Sequence, residues 1–295
     1  MKLPRKEIRL SITSACNMQC VYCHNEGNCN KSMLSIDSID KIVQSALNFG
    51  LEEVRLTGGD PLTHPKFNEI CKLLHDKYHL RISVNTNLVA FNKLEPLIEK
   101  GWINRVIVGL DYFDAPVSKN SPVGLSSITI LERVKKIHEL GCDVSIDTVF
   151  DNDYENKKQI VEWGIKNGVR VKIIEIEKNE ICNHSNPEYL KMQKKIMEQF
   201  PFDNISVDEL EEYNCYINGK KLVSFFPSFC RLRKCHFCRR VQLRITSTGV
   251  LKNCLYYEDI DENILLGDVE EINKKFTKVL TSKVNYHIDE SLRVR

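Results

Sequence analysis

Cys16, Cys20 and Cys23 stand in the run Ser14-Ala15-Cys16-Asn17-Met18-Gln19-Cys20-Val21-Tyr22-Cys23, three thiols spaced C-x3-C-x2-C on one short segment. Thiolates are soft anionic ligands, and three so close together point to metal rather than to packing. Structural zinc ordinarily takes four ligands, and this spacing is unusual for it. A [4Fe–4S] cluster has four irons, so three protein thiolates leave one iron free for a ligand that is not protein. The cluster is the reading adopted for this set, with zinc or three unrelated thiols as the alternatives.

A second group gathers further along. Cys230, Cys235, Cys238 and Cys254 fall within 25 residues, and C-x2-C followed at a distance by another Cys is a strong metal signal. Four thiolates suit a structural zinc site or an auxiliary [4Fe–4S] cluster. Beside one cluster already in the chain, a second is favoured. Cys29, Cys71, Cys142, Cys182 and Cys215 are expected to be core or loop residues.

The elements that carry the first thiols alternate between β-branched runs and amphipathic helical ones from residue 7 to residue 177. Strands are expected at 7–13, 53–57, 81–86, 105–110, 143–150 and 170–176, several apolar enough to be buried on both faces. The first helix should follow Ser35 as N-cap and present Ile36, Ile39, Val43, Ala46 and Leu47 on one face. Six such units fall short of the eight that close a complete barrel, so a partial (β/α)6 TIM-like barrel with a wide mouth is expected. Chemistry then belongs at the strand C-terminal ends, where Cys16 follows the first strand. After residue 179 the alternation stops. A helix near 188–199, hairpins around Asn218-Gly219 and Gly249, and a last helix near 268–280 make up an extension expected to close the barrel. The domain division is thus 1–178 for the barrel and 179–295 for an extension carrying the second cysteine group.

Composition narrows the partners. With 42 basic and 40 acidic residues the formal charge is +2 and neither sign forms a long block, which disfavours nucleic acid and membrane surfaces. No apolar run approaches a membrane span, and the N-terminal residues lack the apolar stretch of a signal peptide, so a cytoplasmic location is expected. In that reducing setting the 12 cysteines are not a disulfide framework.

The C-x3-C-x2-C run after the first strand, together with Leu56-Thr57-Gly58-Gly59-Asp60-Pro61, resembles the radical S-adenosylmethionine (SAM) superfamily. The resemblance implies that SAM binds the open iron through its amino and carboxylate groups. An electron from the cluster then cleaves it to methionine and a 5′-deoxyadenosyl radical, which abstracts hydrogen from an unactivated C–H bond. It also implies an external electron donor such as flavodoxin or ferredoxin. Gly58, Gly59 and Asp60 are similar to the family's GGEP motif at the methionine end of SAM, with Asp60 one methylene shorter than the usual Glu. Paired glycines permit the close backbone approach such a motif needs. Asn85 and Asn87, at the end of the third strand, match a segment that contacts SAM, and the Tyr22 backbone would lie near adenine.

Cys23-His24-Asn25-Glu26-Gly27 and the segment around Cys235 resemble the GTP 3′,8-cyclase family of molybdenum-cofactor enzymes, in shorter archaeal-type form. The likeness spans almost the whole chain. It implies an auxiliary cluster on Cys235, Cys238 and Cys254 whose open iron binds the guanine, although the last gap is two residues longer than the family's. Cys230, as a fourth thiolate, would close that site. Arg55 and Arg244 stand at phosphate-contacting arginine positions, and Lys172 replaces another.

Departures concern the triphosphate. Ala15 stands at an arginine position, Glu53 at a lysine position and Gln242 at an arginine position, and the family's Gly-Gly tail has no counterpart in Ser291-Leu292-Arg293-Val294-Arg295. At about 1.5–3 kcal/mol per charge-assisted contact, these losses cost several kcal/mol of binding to an anion of four charges. A diverged homologue acting on a nucleotide- or metabolite-like small molecule less anionic than GTP is therefore expected. GTP 3′,8-cyclisation, peptide modification and a non-enzymatic redox or metal-binding module are the alternatives. The peptide reading rests on Cys238-x10-Gly249-x4-Cys254, which also resembles the auxiliary-cluster domains of peptide-modifying radical SAM enzymes.

Overall fold

β-Branched and aliphatic runs set the strands, and burial shows which way each side chain faces. The computed structural model describes residues 2–20, 22–23, 31–114, 125–176, 185–228, 243–253, 262–265 and 267–281. In chain order come β1 (Glu7–Thr13), α1 (Ile36–Leu47), β2 (Glu53–Gly58), α2 (Phe67–Lys72), β3 (Arg81–Thr86) and α3 (Phe91–Glu99). There follow β4 (Arg105–Gly109), α4 (Ser127–Glu139), β5 (Asp143–Phe150), α5 (Tyr154–Asn167) and β6 (Arg170–Glu175). Ser35, Ser126 and Asp153 each accept a backbone N–H from the first turn of α1, α4 and α5, satisfying donors that helix geometry leaves open.

Strands β1 to β6 run parallel in sequence order. Toward the helices they present Ile8, Leu10, Val54, Leu56, Ile82, Val106, Ile146 and Ile173, all buried, against Ile39, Val43, Ile130, Val134 and Ile160. The alternate positions face the other way and are largely polar. Register places Arg9, Arg55, Ser83 and Arg105 in one row across β1 to β4, and Gly109, Asp147 and Lys172 in a row nearer the strand C-terminal ends. The helix-facing side is thus the apolar one, and the concave face carries charge. Most of the alternate residues along these strands are polar because they line the barrel interior.

Beyond residue 185 lie α6 (Pro187–Gln199), β7 (Asn204–Val207), β8 (Tyr213–Ile217), β9 (Lys220–Phe226), β10 (Arg244–Ile245), β11 (Val250–Lys252), β12 (Glu262–Asn263) and α7 (Val269–Thr281). The hairpins expected at Asn218-Gly219 and Gly249 are the antiparallel pairs β8–β9 and β10–β11. They do not close the barrel, as the sequence suggested they would. β9 runs parallel beside β6, and β10 runs parallel beside β1, so the free ladders of β6 and β1 are taken by different strands instead of by each other. The described sheet is open, in the order β12-β11-β10-β1-β2-β3-β4-β5-β6-β9-β8-β7. α7 returns to pack on α1, with Phe276 stacked on Phe49 at 5.4 Å between ring centroids. The architecture is a mixed α/β, open, partial TIM-like barrel whose mouth lies at the strand C-terminal ends.

Candidate functional site

The loop after β1 carries Cys16, Cys20 and Cys23 to the mouth, where all three border a cavity of about 240 Å³. Cys16 and Cys23 are exposed and Cys20 is half-buried. Loss of hydration beside the cavity pushes the Cys16 thiol up to about 11, helped by the nearby Asp60, Cys20 and Cys23, against a backbone hydrogen bond from Met18. The Cys20 thiol is likewise pushed up to about 11, by burial first and then by Asp111 and Cys23. Such thiols ionise when a metal takes the proton's place. Among the described residues no three His, Cys, Asp or Glu side chains gather around a single metal ion. In a four-iron cluster each thiolate binds a different iron.

Three loops are tied together beneath the cysteines. Gly59 N–H donates to Thr13 O at 2.8 Å and Asp60 N–H to Ala15 O at 2.8 Å. A Cβ on Gly58 would come within 2.2 Å of Thr13 O, and one on Gly59 within 2.2 Å of Ala15 O. The close approach that makes these positions glycine is therefore that of the cysteine loop's own backbone. Asp60 is buried, and one carboxylate oxygen accepts Leu62 N–H at 2.9 Å while the other accepts Thr86 Oγ1 and Asn87 N–H, both at 2.8 Å. Burial holds its carboxyl above the ordinary range, and those donors oppose the shift. Asn87 reaches the cysteine loop directly, its Nδ2 donating to Asn17 Oδ1 at 2.7 Å. Asn85 borders the cavity, and its Oδ1 is buried with no hydrogen-bond partner.

Asp111, in the loop just after β4, borders the cavity and was missed by the sequence reading. It receives the Tyr22 hydroxyl on one oxygen and Val149 N–H on the other at 2.9 Å. Burial pushes its carboxyl up to about 6. Its backbone oxygen accepts the fully buried Lys157 Nζ at 2.7 Å, and that ammonium also pairs with Asp151 at 3.2 Å. The only signal was position, two residues past a parallel strand.

The residues expected to meet substrate phosphates lie around the barrel interior. Arg55 pairs with Glu7 at 2.7 Å, and Lys172 pairs with Glu212 at 3.2 Å while its Nζ sits 3.9 Å from the Phe226 ring centroid. Arg244 is buried and in register with Arg9. Glu53 accepts the Ser83 hydroxyl and lies 3.7 Å from Arg81. Cys230, Cys235, Cys238, Cys254 and Gln242 fall outside the described residues, as do Cys29 and Cys182. Cys71, Cys142 and Cys215 are buried, free thiols of the core, as expected.

An open barrel with three thiols at its mouth matches a known class. Residues 10–163, more than half of the chain, match the model of the radical SAM superfamily, and the chain belongs to that superfamily. It is accordingly an enzyme, of the class that pairs a [4Fe–4S] cluster with SAM. Among relatives, the probable GTP 3′,8-cyclase of Methanococcus maripaludis is 28% identical over 283 residues, covering 93% of this chain and 94% of that protein. The probable GTP 3′,8-cyclase of Methanothermobacter thermautotrophicus is 27% identical over 271 residues, 87% of this chain and 86% of that protein. Among solved structures, Streptococcus suis SuiB bound to the precursor peptide SuiA superposes with a TM-score of 0.70 at 13% identity, over 97% of this chain and 68% of that one. Native anSMEcpe with bound AdoMet gives 0.63 at 16%, over 94% and 80%. Both share the fold. The residues at the mouth fit the two groups that the class implies. Three thiols face one cavity, an unpartnered acceptor on Asn85 awaits a donor there, and the Gly58–Gly59 backbone borders it without side chains. Among the described residues no helix is long and apolar enough to cross a membrane.

Proposed function

We propose that Cys16, Cys20 and Cys23 hold the [4Fe–4S] cluster of this radical SAM enzyme. Gly58, Gly59, Asn85, Asn87 and the Tyr22 backbone are the SAM-facing residues. Asp60 acts from behind by fixing the three loops to one another. Bound there, cluster and SAM supply a 5′-deoxyadenosyl radical on one-electron reduction by a flavodoxin or ferredoxin. The chain's own part is to orient SAM and substrate and keep bulk water from the reacting carbon. Cys235, Cys238 and Cys254, with Cys230 as a candidate fourth ligand, are proposed to carry an auxiliary [4Fe–4S] cluster in the second unit, 179–295. The substrate is a nucleotide- or metabolite-like small molecule less anionic than GTP, handled in the cytoplasm.

The observation that carries the substrate reading is that Arg55 and Lys172 already have counter-ions, Glu7 and Glu212. A triphosphate would have to compete for both cations while Ala15 contributes none. A second reading, GTP 3′,8-cyclisation itself, is supported by the near full-length match to probable GTP 3′,8-cyclases. The class assignment is tested by anaerobic reconstitution, with wild type expected to bind about eight irons. Replacing Cys16, Cys20 and Cys23 together by Ala should remove half of the iron and all SAM cleavage, and SAM cleavage surviving in that variant refutes the assignment. Transfer of deuterium from candidate substrates into 5′-deoxyadenosine, followed by mass spectrometry, identifies the substrate.

A further inference from the structure

Asp147, on the wall of the same cavity, is a carboxylate with no partner among the described residues. It lies on β5 in register with Gly109 of β4 on one side and Lys172 of β6 on the other. It borders the cavity together with Ile107 and Gly109. The cations that act on it from a distance are paired elsewhere: Arg55 with Glu7 at 2.7 Å, Lys172 with Glu212 at 3.2 Å, and Arg105 with Asp143 at 3.4 Å. Among the described residues none donates a hydrogen bond to its side chain or lies in ion-pair contact with it. Asp60 and Asp111, the other carboxylates on this cavity, each receive protein donors on both oxygens.

The space beside Asp147 is open as well. Gly109 points no side chain into it, and a Cβ built there meets no atom within 4 Å. One row deeper, Ser145 Oγ is buried with no hydrogen-bond partner. The recess between β4 and β5 thus offers a carboxylate, an apolar floor at Ile107, and no described cation in contact. A carboxylate withdrawn from water without a counter-ion is costly, and the cost is removed when a bound ammonium supplies the partner. We propose that this recess takes the ammonium group of a primary-amine substrate, with Asp147 as its counter-ion. The proposal names the substrate class for the site proposed above and rests on the reading that SAM and substrate share this cavity.

The test uses reconstituted, SAM-saturated enzyme and three probes of one shape, cyclohexylamine, cyclohexanol and cyclohexanecarboxylate, with binding followed by calorimetry. The amine should bind wild type at least about tenfold more tightly than the carboxylate, and Asp147→Asn should abolish that preference while SAM affinity stays within about twofold. Gly109→Leu, which places a bulky side chain in the recess beside Asp147, should exclude all three probes. Equal or tighter binding of the carboxylate, no binding of the amine to wild type, an amine preference that survives Asp147→Asn, or a loss of SAM affinity in that variant each overturns the proposal. Iron content and SAM binding of the same wild-type sample report separately on the radical SAM reading. Failure there appears as absent iron and absent SAM binding, before any probe is added.

Discussion

Both oxygens of Asp60 accept a backbone N–H, Leu62 on one side and Asn87 on the other. An amide at this position must set its NH2 against one of those donors whichever way it turns. Asp60→Asn should therefore destabilise the protein by about 1–3 kcal/mol, the cost of a buried donor left unmet, read as a lower urea midpoint at unchanged slope. Asp111 gives a prediction in pH. Its carboxyl, pushed up to about 6, holds in the folded chain a proton that the unfolded chain releases near its ordinary value of about 4. The folded state binds more protons in that window, so this group's contribution to stability falls as pH rises from about 4 to 6. The stability difference between Asp111→Asn and wild type should shift in the variant's favour across the same window, by up to about 3 kcal/mol, and a difference flat in pH would contradict the assignment. The cysteine set was legible because its signal is local, three thiols within eight residues. Asp111 and Asp147 were not, since a lone carboxylate near a strand end looks the same whether it faces water, a helix cap or a cavity.

At the scale of elements, the parallel strands β1 to β6 were legible from β-branched runs, and their C-terminal ends from the turns that follow. Less visible was that β10 pairs with β1, Arg244 beside Arg9, and that β9 pairs with β6. The first partnership spans most of the chain, and no local pattern records which free ladder a late strand will join. The Gly-Gly motif was legible as a close approach, but the approaching partner was identified only in the structure as the cysteine loop. This yields a paired test. Gly59→Ala places a methyl against the Ala15 carbonyl at 2.2 Å, so the cysteine loop must move. It should cost about 1–3 kcal/mol by overpacking and lower the iron bound per chain. Gly109→Ala meets nothing within 4 Å and should leave the unfolding free energy within about 0.5 kcal/mol of wild type. Equal effects of the two on stability would show that glycine at position 59 is not there to admit the loop.

For the whole molecule, the interior charges decide what can be bound. GTP brings four negative charges into a cavity whose described charged lining is Asp60, Asp111 and Asp147 against Arg9. Two of the interior cations expected to meet phosphate, Arg55 and Lys172, would have to leave Glu7 and Glu212. Breaking an ion pair in a partly buried interior leaves one carboxylate uncompensated for each cation withdrawn, which offsets much of the new contact. The enzyme is therefore expected to cleave SAM slowly on its own under reducing conditions and to leave GTP unconverted, measured by chromatography of the nucleotide pool after anaerobic incubation. The double variant Glu7→Gln/Glu212→Gln sharpens the argument, because it frees both cations without adding any. If their pairing excludes the triphosphate, GTP should bind the double variant more tightly than wild type, by about tenfold for 1.4 kcal/mol recovered, and the gain should shrink with added salt. Efficient conversion of GTP by wild type would instead mean that these pairs open on binding, and the reaction would be that of the probable GTP 3′,8-cyclases the chain resembles.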